Sequence, residues 1–176
     1  MSKRAWFGAS LAALALIAAC DDDDDDITGP VARYGATLNG QNEVPPRTTT
    51  ATGTADIRLE DQNTLSWTVS LNGITNLTAA HIHRTPSDLG NGPIVLFLTD
   101  PNVPPTNQST IAGSVTRSTC VDPVCVGATF DEIVALLNTT NGAYVNVHTD
   151  DGVSPANTGQ GDFPGGEIRG FVTAVP

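Results

Sequence analysis

From Val31 onward the chain is written in short runs in which apolar and polar residues alternate, cut by Gly, Pro, Asn and Asp. Period-two alternation places successive side chains on opposite faces of a strand, so these runs predict strands with one buried face. The first is Tyr34–Leu38, ended by Asn39-Gly40 and by Pro45-Pro46. Thr54–Leu59 follows with Ala55, Ile57 and Leu59 on one face, and Asp61-Gln62-Asn63 turns the chain back. Leu65–Leu71 is the clearest strand, because Leu65, Trp67, Val69 and Leu71 alternate with Ser66, Thr68 and Ser70. Trp67 therefore reads as a core anchor, and Asn72-Gly73 as a tight turn. Further strands are predicted at Ala79–His83, Ile94–Leu98, Ser109–Val115, Tyr144–His148 and Ile168–Ala174.

One segment departs from this pattern. Thr129–Leu137 opens with Thr-x-x-Glu and continues with apolar residues at helical spacing, which predicts a helix of about two to three turns. Many short strands, one helix, 17 Gly and 12 Pro describe an all-β sandwich or barrel. No repeat of 20–50 residues argues for a solenoid or propeller.

The first 30 residues have a different character. Lys3 and Arg4 precede an apolar run from Trp6 to Ala19 that ends in Ile17-Ala18-Ala19-Cys20. This run is short for a bilayer span of about 20 residues. Its charge, apolar stretch and small residues before a cysteine resemble a bacterial lipoprotein signal, which implies lipidation of Cys20 and a site in the bacterial cell envelope. Asp21–Asp26 then form a run of like charges that resists burial and reads as a solvated tether. The organisation expected is a signal over 1–19, an anchored tether over 20–32 and one domain over 33–176.

Residues 27–176 carry six arginines, no lysine and thirteen acidic residues, a net charge of −7 with histidine neutral. That surface does not suit nucleic acid, whose binding rests on neutralising phosphates. After Cys20, two cysteines remain, Cys120 and Cys125, and an even pair in an exported chain reads most simply as a disulfide around Asp122-Pro123.

The candidate chemistry lies in the three histidines. In a strand, Ala79, His81 and His83 share one face while Ala80 and Ile82 share the other, which looks like the core face. Val145 and Val147 likewise point Tyr144, Asn146 and His148 outward. A His-x-His pair with a third imidazole from an adjacent strand suits copper or zinc. The alternative is that three outward histidines hydrogen-bond across strands. Asp150 and Glu167 could orient an imidazole or ligate directly, with Arg169 beside them. Glu167 and Arg169 share a strand face, and an ordinary surface ion pair is the simpler expectation. There is no nucleophile elbow, no Gly-rich phosphate loop and no HExxH.

Taken in order, Asn42-Glu43-Val44-Pro45-Pro46, Thr52-Gly53-Thr54-Ala55, Ala79–Arg84, Asn91-Gly92-Pro93-Ile94-Val95, Tyr144–Thr149 and Gly165–Gly170 resemble the chordin, or CHRD, domain from about Tyr34 to Val172. The resemblance implies an immunoglobulin-like, Greek-key β-sandwich or barrel, distantly similar to Cu/Zn superoxide dismutase. On that likeness His81 and His83 resemble the paired copper histidines of the dismutase, and His148 a later one. The bridging histidine and zinc cluster have no counterpart, since no histidine remains. The function expected is a non-enzymatic, membrane-anchored binding or structural module, with a protein or polysaccharide as candidate ligand. The alternative is a copper-binding or superoxide-handling protein that uses His81, His83 and His148.

Overall fold

A computed structural model describes residues 30–102 and 107–176. The signal, Cys20 and the aspartate run lie outside the described residues. The alternating segments form β1 (Ala32–Asn39), β2 (Thr52–Leu59), β3 (Thr64–Asn72), β4 (Leu77–Arg84), β5 (Ile94–Phe97), β6 (Thr110–Thr116), β7 (Ala143–Thr149), β8 (Ile168–Phe171) and β9 (Thr173–Val175). The helical segment is α1 (Phe130–Leu137). The fold is all-β, and its strands form one curled antiparallel sheet in the order β5-β4-β7-β8-β1-β2-β3-β6, with β9 also paired to β1.

The predicted strand Ile168–Ala174 is two strands. β8 lies between β7 and β1, meeting β1 only where Arg169 stands opposite Asn39, whereas β9 pairs with β1 alone, so the main pairing passes from β7 to β1. Val172 sits at the change, buried, its N–H donating to the Ala143 carbonyl at 3.0 Å. An alternating pattern records which face is buried but not which strand lies alongside, and here the partner changes without a break in the pattern.

Leu65, Trp67, Val69 and Leu71 enter the core with Ile57, Ile82, Leu96, Val145, Val147 and Ile168. Trp67 donates its indole N–H to the Leu98 carbonyl at 3.1 Å, which ties β3 to the end of β5 across the open side of the sheet. Gly113 on β6 makes room for that ring, since a Cβ there would stand 2.7 Å from it. The Cys120–Cys125 disulfide is present. The segment it closes lies along the free edge of β5, with Phe97 N–H donating to Val124 O and Val126 N–H to Val95 O. Covering an edge strand in this way removes a template for pairing with another chain. α1 starts with the expected capping box between Thr129 and Glu132 and buries Phe130, Ile133 and Leu137. No helix among the described residues is long and apolar enough to cross a membrane.

Candidate metal centre

β4 and β7 are antiparallel neighbours in a register that sets His81 opposite Asn146, His83 opposite Tyr144 and Ala79 opposite His148. His81, His83, Tyr144, Asn146 and His148 therefore share the face turned away from Ala80, Ile82, Val145 and Val147. Strand alternation predicted this division correctly. The expectation that this face looks out to solvent was wrong. His81 and His83 are only 6% and 7% exposed, and Tyr144 and Asn146 are buried as well. His148 alone keeps partial solvent contact. Two loops and the neighbouring strand supply the cover: Gly92 lies against His83, Pro164 against His148, and Phe97 on β5 sets its ring edge-on to His81 at 4.5 Å between centroids.

The three imidazoles converge. Ring centroids are 4.9 Å apart for His81 and His148, 5.6 Å for His81 and His83, and 6.1 Å for His83 and His148. One nitrogen from each lies within 4.8 Å of the others. A trigonal ion with bonds of about 2.0 Å holds its nitrogens roughly 3.5 Å apart, so small rotamer adjustments would bring all three into range.

Their hydrogen bonds fix which nitrogens are free. His83 Nδ1 lies 2.9 Å from the Gly92 carbonyl, and His148 Nδ1 lies 2.9 Å from the Pro164 carbonyl. A carbonyl only accepts, so each Nδ1 carries the proton and donates it, and each Nε2 keeps its lone pair. Both Nε2 atoms are buried without a protein partner, as are both nitrogens of His81. This is the arrangement expected around a metal, in which the second ring nitrogen orients the ligating one. Burial pushes His81 down to about 3 and His83 to about 4, with the neighbouring imidazoles adding to the effect. His148 is also lowered, chiefly by burial. All three rings are neutral at pH 7, the form that coordinates.

The expected surface pair of Glu167 and Arg169 is not found, for both side chains are fully buried and each has other partners. Glu167 accepts from Thr49 Oγ1 at 2.6 Å, from Thr149 Oγ1 at 2.7 Å and from the Gly161 N–H at 3.0 Å. Arg169 donates to the carbonyls of Leu89 and Gly90 and to Asn91 Oδ1 at 3.0–3.3 Å, and its guanidinium lies 3.5 Å over the Tyr144 ring. The other face of that story is His83, stacked on Tyr144 at 4.7 Å and 7°. Arg169 thus acts on the histidine pocket through Tyr144 and through the 85–93 loop that supplies the Gly92 carbonyl. Asp150 spends one oxygen on the Gly152 N–H. His83 and His148 are oriented by backbone carbonyls and not by a carboxylate.

Sequence reasoning missed Glu43. It is 3% exposed, and burial pushes it up to about 7 against the opposing pull of Arg169 and Arg47. Gly166 has a φ of +121°, and a Cβ there would lie 2.6 Å from Asn146 Oδ1 and 2.7 Å from Glu43 Oε1. The roof over this polar layer closes only with glycine at that position. The Asn42–Pro46 block marked the segment, but no periodicity tells which loop residue turns inward.

A family model described as the CHRD domain matches residues 34–172. No curated protein and no solved structure matches the chain.

Proposed function

The chain belongs to the CHRD domain family, and from that premise we propose that it is a binding module whose ligand is a single copper ion held by His81, His83 and His148. One observation carries the reading: three imidazoles bring buried, unpartnered nitrogens close together, and two of them have their protons held away by backbone carbonyls. Copper is preferred to zinc on charge and geometry. The ligands are neutral and three in number, and the Arg169 guanidinium lies close enough to lower His83 further. A monovalent ion content with three ligands costs less to bury there than a divalent ion that wants a fourth. The partly exposed His148 edge is the natural way in.

The test is metal analysis after reconstitution and desalting. About one copper per chain is expected, retained against zinc competition, with His81→Ala, His83→Ala or His148→Ala each losing most of it. A chain that keeps no stoichiometric copper would end the proposal, and stoichiometric zinc in its place would transfer the site to zinc.

The module is further proposed to be anchored in the bacterial envelope through lipid on Cys20. The reading rests on Lys3 and Arg4, the apolar run and the small residues before Cys20, and is supported by a disulfide suited to an oxidising compartment. Cys20→Ala is expected to move the protein from the membrane fraction to the soluble fraction, and an unchanged distribution would reject the anchor.

A further inference from the structure

The 150–167 loop between β7 and β8 gathers a second set of ligand atoms, chemically unlike the first. Asp150, Asp151 and Asp162 each place one carboxylate oxygen within 4.8 Å of the others. Asp150 Oδ1 accepts from the Gly152 N–H at 2.7 Å, and Asp151 Oδ1 from the Val153 N–H at 2.8 Å. Asp162 Oδ2 accepts from both the N–H and the hydroxyl of Thr158 at 2.8 Å.

Asp162 makes this more than an acidic cluster. The residue is only 3% exposed, and its Oδ1 is sealed from solvent with no donor. None of the three ion pairs among the described residues involves any of these carboxylates. A buried anionic oxygen without a donor is costly, and two further carboxylates beside it raise that cost unless a cation is present.

We propose that Asp150, Asp151 and Asp162 bind one calcium ion. The donors are all oxygen, which selects a hard cation over copper or zinc. They come from an irregular loop, which suits the variable geometry of calcium better than the strict octahedron of magnesium, and water completes the shell. The ion ties the two ends of the loop together, Asp150 and Asp151 leaving β7 and Asp162 returning towards β8. The same loop carries Pro164, whose carbonyl orients His148, and Gly161, whose N–H holds Glu167. Calcium therefore fastens the roof of the histidine pocket without touching it.

The experiment titrates calcium chloride into the chelator-treated full chain by calorimetry and follows thermal unfolding in parallel. Saturable binding with a Kd of about 10⁻⁵–10⁻³ M is expected, from the weak end of sensor sites to that of extracellular modules. A rise in Tm of about 5 °C or more should accompany it at a hundredfold excess over Kd. Asp162→Asn and Asp151→Asn should each weaken binding at least tenfold, whereas His83→Ala should bind calcium unchanged, which separates this site from the copper reading. Asp151 is exposed, so its variant remains informative if Asp162→Asn fails to fold. The Asp21–Asp26 run is present in every variant, and the difference between variants isolates the loop. Equal calcium responses in wild type and both aspartate variants, an equal response to magnesium chloride, or no response at all would overturn the proposal.

Discussion

Lowering the pH of the metal-free protein from 7.5 to 5.0 sets two buried groups against a third. His81 and His83 have folded pKa values of about 3 and 4, well under their ordinary value of 6.5. As the pH falls below 6.5 the unfolded chain takes up protons on both rings and the folded chain does not. The stability they contribute is complete above 6.5 and is lost on the way down towards 4. At about 1.4 kcal/mol per pH unit, each histidine removes about 2 kcal/mol by pH 5.0. Glu43 works in the opposite sense. Its folded pKa of about 7 lies above the ordinary 4.5, so the folded chain holds a proton that the unfolded chain releases between those values. Its contribution is present below 4.5, is lost as the pH rises to 7, and returns about 2.5 kcal/mol on acidification to 5.0. The native protein should therefore lose only about 1.5 kcal/mol over this range. Glu43→Gln, which cannot take up the proton, should lose about 4 kcal/mol. His148 is shifted in the same direction as the other histidines and adds to both losses. Urea unfolding of the chelator-treated proteins at the two pH values reads the difference within each protein, so any baseline cost of the substitution cancels. A Glu43→Gln variant no more acid-sensitive than wild type would refute the opposition of these groups.

Three substitutions test other parts of the framework. Replacing Cys120 and Cys125 together with serine opens a loop with a sequence separation of 5 and should cost about 2 kcal/mol, read as a lower urea midpoint under non-reducing conditions. Thr129→Ala removes the capping box of α1 and should cost about 1 kcal/mol by the same measurement, with the helical signal otherwise retained. Arg169→Leu strips the guanidinium from Tyr144 and from the 85–93 loop, leaves Arg47 as the remaining cation acting on Glu43, and should cost about 3–5 kcal/mol. On the copper reading, the ion should also leave Arg169→Leu faster than wild type, because the loop that carries the Gly92 carbonyl loses its three hydrogen bonds to the guanidinium.

How much could be read from the chain beforehand depended on whether a property is local. Strand positions followed from alternation, the helix from its Thr129–Glu132 cap, and the disulfide from cysteine count, all of which are written within a few residues. The grouping of His81, His83 and His148 was also legible, because alternation fixed their faces and the family resemblance supplied His148 as the partner of the other two. Burial was not. An outward face predicted from Val145 and Val147 is outward only until other segments fold over it, and Gly92 and Pro164 reach that face from loops that alternation does not describe. The same blind spot made Glu167 and Arg169 look like a surface pair and hid Glu43, which is met by Asn146 from β7, Arg169 from β8 and Arg47.

Within that covered layer, Glu167 provides an internal comparison for the histidines. It is fully buried, and the fold meets its two carboxyl oxygens with three donors drawn from Thr49, Thr149 and Gly161. The chain is therefore able to satisfy a demanding polar group in this layer. The imidazoles a few residues away are treated differently: each Nδ1 that could point inward on His83 and His148 is turned to a carbonyl, and the nitrogens that remain face one another with no donor between them. Histidines kept only for cross-strand hydrogen bonding would be expected to find such partners, since an unpaired buried nitrogen costs about 1–3 kcal/mol. Several such nitrogens aimed at one point amount to a cost that a bound cation removes. That contrast favours a ligand-holding role for this pocket over a purely structural one.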